Sequence, residues 1–559
     1  MIDTRCFVCW LLLFPLSSVQ RAEPPQRIEF EQLQSSGIDF EHRDGSSGRH
    51  YLVEAIAAGM ATFDYDLDGQ VDIYFLNGSA LRDTQYAVPP VNELYRNLGA
   101  SKFVIASFES GLADLGFGLG VTVGDYDNDG FPDVYLSNFG PNVLYHNNGD
   151  GTFSAIPSSV LARGHKVGGG CCMLDIDADG DLDIFSANYI DFSYSIPPTE
   201  FHGRTNYGGP LLYPKLPDNL FLNLGNGEFQ DISLDSGIGR LAEWGMGSIC
   251  FDYDDDGDTD IFVANDSTRN HLWENDGHGK FVETALIVGL AYDYRGDPQG
   301  SMGVDAADLQ NDGLIDLFQT AYTKQLATLY ENLGVGLFSD STVQSGAGAG
   351  TYYPVNWGIG LADFDNDGDK DIFIANGHIQ DNLDDIDDTV SYRLPNQIIE
   401  NLGNLKFSDI TSKVGSCFQV KESSRGAVVE DLDADGAVDI VVLNSRRPAS
   451  VLRNTSPSVS NWVELELVGS ECNRSAVGSR VTVVSEGKRQ TLEVHSGRGY
   501  QSHFGSRLHF GIGAAKNIDQ IEVIWHGHET QLFRDIPCNG IYLLREGSDE
   551  VRLALPIMH

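Results

Sequence analysis

Seven short apolar runs recur along the chain: DIYFLN, DVYLSN, DIFSAN, DIFVAN, DLFQTA, DIFIAN and DIVVLN. They are rich in β-branched and aromatic residues and bounded by Gly and Asn, which predicts strands rather than helices. A Gly-rich phrase precedes most of them: GMATF at Gly59, GLGVTVG at Gly118, GGGCCML at Gly168, GMGSICF at Gly245 and GIGLA at Gly358. A second phrase follows, as in NELYRNLG at Asn92, NVLYHNNGDGTF at Asn142 and NLFLNLGNGEF at Asn219, and most copies then run into a Phe and a Ser-Gly or Val-Gly turn. Three to four strands per unit, tied by Gly/Asn turns, cannot bury both faces of one small sheet. Units of this kind stack radially into a β-propeller.

Between the Gly-rich phrase and the apolar run, each unit writes one nine-residue loop with aspartate at alternate positions, then glycine, then aspartate. The copies are DYDLDGQVD (Asp64, Asp66, Asp68, Asp72), DYDNDGFPD (Asp125, Asp127, Asp129, Asp133), DIDADGDLD (Asp175, Asp177, Asp179, Asp183) and DYDDDGDTD (Asp252, Asp254, Asp256, Asp260). The last three are DLQNDGLID (Asp308, Gln310, Asp312, Asp316), DFDNDGDKD (Asp363, Asp365, Asp367, Asp371) and DLDADGAVD (Asp431, Asp433, Asp435, Asp439). So many carboxylates in one short loop repel one another unless a cation sits among them. Ca²⁺, which takes about six to eight oxygens in a tolerant geometry, suits the set. Ligands are expected from positions 1, 3, 5 and 9 and from a backbone carbonyl at position 7, with up to seven ions bound. Gly at position 6 permits the turn. An EF-hand is excluded: position 12 is Phe75, Leu136, Ser186, Val263, Gln319, Ile374 or Val442, none acidic. Gln310 removes one charge from the fifth loop, which is expected to be the weakest site.

First aspartates stand 50–77 residues apart. The segment FEQLQSSGIDF from Phe30 copies the part of the unit that follows the Phe, before any loop has appeared, while the last unit stops at Asn454. That offset predicts a closed ring in which the N-terminal strand completes the last unit.

These units resemble the FG-GAP/VCBS repeats of the integrin-α type propeller. The stretch NWVELELVG, NRSAVGSRVTVV, EVHSGRGYQSHFGSRLHFGIG and IDQIEVIW, from Asn461 to Trp525, resembles the ASPIC/UnbV domain. In this order the two are similar to the cartilage acidic protein-like family. The resemblance implies an all-β protein: a seven-bladed propeller over 28–454 and a small β-sandwich or half-barrel over 460–547, read here as about six strands. A departure is His526-Gly527-His528 after Trp525, where the family more often has Trp-Pro-x-Gly.

Charge agrees with the loops. Lys+Arg 36 against Asp+Glu 81 gives −45, which excludes a nucleic-acid partner. Residues 1–22 read as an export signal, with Arg5, an apolar run over 6–16 and a cut after Ala22. The run is too short to span a bilayer, so a secreted, periplasmic or cell-surface protein with no transmembrane segment after signal removal is expected. Six cysteines then remain: Cys171, Cys172, Cys250, Cys417, Cys472 and Cys538. Cys472 and Cys538, both in loops of the C-terminal domain, are the expected disulfide. Cys171 and Cys172 read as buried free thiols. His495, His503, His509, His526 and His528 gather in the same domain and read as scattered residues rather than a transition-metal site.

No G-x-S-x-G elbow, Walker loop or H-E-x-x-H helix appears, so no catalytic residue is assigned. The reading is a binding or adhesion-type protein for an extracellular protein or glycan. The alternative is an exported enzyme acting on a glycan or natural product at the propeller's central mouth. Recognition is expected on the long insertion 189–218, with Tyr189, Phe192, Tyr194, Phe201, His202, Tyr207 and Tyr213 partly exposed on the face opposite the loops. A second insertion, 377–395, carries Asp381, Asp384, Asp385, Asp387 and Asp388.

Overall fold

A computed structural model describes residues 28–56, 58–162, 166–201, 203–383, 391–457 and 460–554. The expected export signal, His202 and Asp384, Asp385, Asp387 and Asp388 lie outside them. The apolar runs form the second strand of four-stranded antiparallel units. In the first unit, Met60–Phe63, Asp72–Phe75, Glu93–Asn97 and Phe103–Ile105 pair in sequence order. Six more units begin at Phe117–Gly124, Val167–Leu174, Gly245–Phe251, Gln299–Ala307, Asn356–Ala362 and Ser424–Glu430. Burial falls from the inside outward. Ile73, Tyr74 and Phe75 of a second strand are all fully buried, a third strand such as Glu93–Asn97 buries Leu94, Tyr95 and Asn97 and half-exposes Glu93 and Arg96, and a fourth such as Phe103–Ile105 buries only its Phe. Second strands therefore read as continuous apolar runs, since both faces lie against neighbouring units.

The ring closes as the sequence offset predicts. Phe30–Gln32 pairs antiparallel with Ser450–Asn454, Phe30 opposite Asn454, and supplies the fourth strand of the seventh unit. The Gly-rich first strands face the axis, where glycine lets backbones approach. A Cβ on Gly169 would come within 2.6 Å of the Gly245 carbonyl in the next unit, and one on Gly426 within 2.8 Å of the Ala58 carbonyl across the closure.

The C-terminal domain is a sandwich of two four-stranded sheets. One orders Leu508–Gly513, Asn461–Val468, Ile541–Arg545 and Val551–Leu553; the other orders Lys488–Glu493, Arg480–Ser485, Asn517–Ile524 and Thr530–Pro537. It has eight strands rather than six. Thr530–Pro537 and Val551–Leu553 are edge strands with few buried positions, so they carry little alternation to read.

This domain stands on the loop face and sends residues 495–504 down the axis. His503 N–H donates to the Met60 carbonyl (3.0 Å), Val121 N–H to Gln501 (3.2 Å) and Met173 N–H to Ser496 (3.2 Å). Gly499 and Val304 exchange both backbone hydrogen bonds (2.8 and 3.0 Å). His495 Nδ1 lies 3.0 Å from the Cys250 carbonyl. Tyr500 packs edge-on against Trp357, centroids 5.1 Å apart, and its hydroxyl reaches the Ile56 carbonyl at 2.9 Å. Gly505 N–H ends the run on Glu430 of the seventh unit (2.9 Å). All seven first strands are thus engaged, and the channel is filled.

Three sequence expectations change here. Tyr189, Phe192, Tyr207 and Tyr213 are buried rather than exposed. Phe192 and Tyr213 join Tyr51 and Trp244 in a core at the far end of the channel. The two insertions also bind each other: Gln380 exchanges hydrogen bonds with the Tyr207 backbone (2.9 and 2.8 Å), and Asn382 Nδ2 donates to the Thr205 carbonyl (3.0 Å). They form a lid on the barrel's end, not an aromatic apron. Secondly, Cys472 and Cys538 are free thiols. Cys472 follows Val468, at one end of Asn461–Val468, whereas Asn539 N–H donates to Trp462 at the other end. Eight residues of strand, about 3.3 Å each, separate the two thiols, far beyond the Cα spacing a disulfide tolerates. Thirdly, the central mouth expected for an exported enzyme is occupied by 495–504. The reading of Cys171 and Cys172 as buried free thiols stands.

Candidate metal centres

All seven loops adopt one backbone path. The position-6 glycines have φ between 84° and 98°, and position 4 is left-handed as well: Leu67, Asn128, Ala178, Asp255, Asn311, Asn366 and Ala434 have φ of 54–63°. The second feature escaped the sequence reading, because only three of those residues are the Asn that favours this conformation.

This path aims backbone N–H groups at the carboxylates. In the first loop, Asp64 accepts from Asp68 (3.1 Å) and Gly69 (2.7 Å), and Asp68 accepts from Gln70 (2.9 Å). Asp72 accepts from Tyr65 (3.1 Å) and from Asn97 (2.7 Å), the last residue of the third strand. Position 3 is different. Oδ1 of Asp66, Asp177, Asp254 and Asp433 is buried and has no hydrogen-bond partner. One carboxylate oxygen from each of positions 1, 3 and 9 converges within 4.8 Å in Asp64/Asp66/Asp72, Asp125/Asp127/Asp133 and Asp175/Asp177/Asp183. A buried anionic oxygen with nothing to accept from is costly. A hard divalent cation at the convergence point satisfies it, so these residues fit Ca²⁺.

Electrostatics point the same way. Burial pushes Asp72 up to about 8 and Asp133 up to about 9, although each accepts backbone N–H bonds that oppose the shift. Burial likewise raises Asp64 to about 6, Asp125 to about 7 and Asp308 to about 6, and holds Asp183, Asp260, Asp316, Asp371, Asp431 and Asp439 well above the usual range. These carboxylates resist ionising unless positive charge is supplied.

The asparagine that closes each third strand ties the loops into a ring. Asn147 Nδ2 donates to the Tyr65 carbonyl (2.9 Å), Asn223 to Tyr126 (2.8 Å), Asn275 to Ile176 (2.9 Å) and Asn332 to Tyr253 (3.1 Å). Asn401 continues to Leu309 (3.0 Å), Asn454 to Phe364 (2.9 Å) and Asn97 to Leu432 (2.7 Å). Each bond reaches the preceding unit's loop, and the last, from Asn97 of the first unit to the seventh unit's loop, closes the ring. The second phrase of the repeat held these residues, but sequence alone did not show their role.

Four of the five histidines named in the C-terminal domain, His495, His503, His509 and His526, turn out to be joints with the propeller. His526 Nε2 lies 3.1 Å from the Asp175 carbonyl, and His509 spans Glu464 (3.1 Å) and Asn366 (2.7 Å). Ser475 accepts from Asp125 N–H (3.0 Å), Arg507 donates to the Gly69 carbonyl (2.8 Å), and Arg480 pairs with Asp255. Glu471, His528 and Glu546 converge within 4.8 Å, and Oε2 of Glu546 accepts the N–H groups of Ser470, Glu471 and Cys472.

Family models agree with this architecture. Residues 469–551 match a family model described as ASPIC and UnbV. Residues 64–136, 125–186 and 252–319 match one described as an FG-GAP-like repeat. Cartilage acidic protein 1 of Mus musculus is 24% identical over 428 residues, covering 73% of this chain and 61% of that protein. The Homo sapiens protein of the same name is 24% identical over 430 residues, covering 73% and 60%. The chain thus spans about three fifths of the length of these relatives. Among solved structures, an Agrocybe aegerita lectin described as recognising non-reducing terminal N-acetylglucosamine overlays with a TM-score of 0.39 at 16% identity, covering 72% of this chain and 94% of that one. YCF48 bound to a D1 peptide overlays at 0.40 and 8% identity, covering 77% and 96%.

Proposed function

We propose that this chain, which carries FG-GAP-like repeats and an ASPIC and UnbV domain, is an exported calcium protein of the binding or adhesion type, with an extracellular protein or glycan as its partner. The observation that carries the calcium reading is the unpartnered, buried Oδ1 of Asp66, Asp177, Asp254 and Asp433. Asp66 and Asp177 each converge with the carboxylates of positions 1 and 9. The apolar run over 6–16 and the loops' suitability for high extracellular calcium support export. Among the described residues, no helix is long and apolar enough to cross a membrane.

In this reading the ions are structural. They hold rigid the face on which the C-terminal domain stands, while recognition belongs to the outer surface. A channel occupied by 495–504 gives the enzyme alternative no central mouth to work from. The test is a thermal melt of the full chain with metal content measured in parallel. EDTA should release calcium and lower Tm by about 10 °C or more, because ions that bind the folded state stabilise it. Ca²⁺ should restore Tm where Mg²⁺, which demands near-octahedral geometry, does not. An unchanged melt after verified metal removal would contradict the reading. Glycan-array and surface-protein capture, with and without EDTA, then addresses the partner.

A further inference from the structure

The residue just before each ring asparagine occupies one register in all seven third strands, yet its chemistry varies: Arg96, His146, Leu222, Glu274, Glu331, Glu400 and Arg453. Where it is arginine, it seizes the carboxylates the loop would offer an ion. Arg96 Nε lies 2.8 Å from Asp66 Oδ2, and its Nη2 lies 2.8 Å from Asp68 Oδ2. Arg453 Nη2 lies 3.0 Å from Asp433 and 3.3 Å from Asp435. The same ligand positions, 3 and 5, are held in two units that differ elsewhere. His146 Nδ1 reaches Asp127 at position 3 (3.2 Å) and Asp133 at position 9 (3.4 Å). Glu274 carries the opposite charge at this register and accepts from the Tyr253 hydroxyl at 3.2 Å.

We propose that this register position ranks the calcium affinities of the loops. The first and seventh, whose arginines hold the carboxylates of positions 3 and 5, are the weakest. The proposal rests on the calcium reading above. An arginine cancels one negative charge and competes with the ion for Asp66 and Asp68, or for Asp433 and Asp435. It does not abolish the site, because the inner Oδ1 of Asp66 and of Asp433 still lacks a partner. Ligand charge count tunes oxygen cages over orders of magnitude, so a displacement of about tenfold or more is expected. The fifth loop loses one charge to Gln310, but the residue at this register is Glu331, held by the Ser341 hydroxyl, and not an arginine, so the loop ranks above the first and seventh. The two weak loops are neighbours, joined by Asn97 donating to Leu432 (2.7 Å), and they flank the closure made by Phe30–Gln32.

The test is calcium content of the full chain after equilibrium dialysis against a series of free-calcium levels. The unaltered protein should fill in at least two classes, with two ions entering last. Arg96→Gln and Arg453→Gln should each move one ion into the earlier class. Leu222→Arg, on a half-exposed site in the third unit, should move one ion into the later class, and it serves if the arginine variants fold poorly. Unchanged titrations in a protein that does bind calcium would overturn the ranking and leave the calcium reading standing. No calcium bound at any level would overturn both.

Discussion

His503 lies wholly inside the channel, where its Nδ1 accepts the N–H of Gly497 at 3.2 Å. Burial, then the nearby Arg498 charge, lowers it from 6.5 to about 3. Because the folded value is depressed, its contribution to stability is complete above pH 6.5 and is lost as pH falls toward 3. At pH 5 the loss is about 2 kcal/mol for this one group. His503→Gln should therefore flatten the stability profile between pH 6.5 and 5, read as Tm at saturating calcium. The gap between variant and unaltered protein should narrow on acidification, and parallel profiles would contradict the assignment. The other buried charge in the channel makes a second prediction. Arg498 Nε donates to Asp305 at 2.6 Å, with Asp305 fully buried. Arg498→Ala should cost about 3–5 kcal/mol in urea unfolding, because it strands an uncompensated carboxylate. Adding Asp305→Leu should recover much of the loss.

At the scale of elements, the insertion 189–218 changes its meaning. Phe192, Tyr207 and Tyr213 are buried, and each full burial of such a ring is worth about 2 kcal/mol. Replacing 191–217 by a short Gly/Ser turn should therefore lower the urea midpoint substantially, whereas a loop that merely covers the surface would leave it nearly unchanged. The loops and their strands were legible because each is encoded locally: position-6 glycine fixes the turn, alternate aspartates bring the carboxylates together, and a β-branched run fixes the strand. Ring closure was legible too, since FEQLQSSGIDF repeats a phrase whose place in the unit was already known. The aromatic insertion was not. Tyr, Phe, Pro and Gly in a long connection look the same whether they face solvent or fold over a channel end, and only Gln380 and Asn382 from the opposite side of the ring decide it. The cysteine pairing failed for a related reason, because two loops of one small domain can lie at opposite ends of one strand.

At the scale of the whole molecule, three layers share one axis: the C-terminal sandwich on the loop face, the seven units, and the crossed insertions beneath. The first of these contacts was hidden in HSGRGYQSHFG, whose Gly, Ser, His, Arg and Gln read as an ordinary polar loop, because its destination depends on residues contributed by all seven units. The segment that fills the channel is made after all seven units. A ribosome delivers the seven units before it delivers 495–504, so the inner strands wait with Val121, Met173 and Val304 unpaired on their axial side. The nascent ring must then either hold water in its bore or stay slightly open. Synthesis order thus gives this protein a late and specific commitment step, the threading of Tyr500 toward Ile56. A polypeptide halted before that point is an unfinished annulus, with its stickiest backbone facing inward.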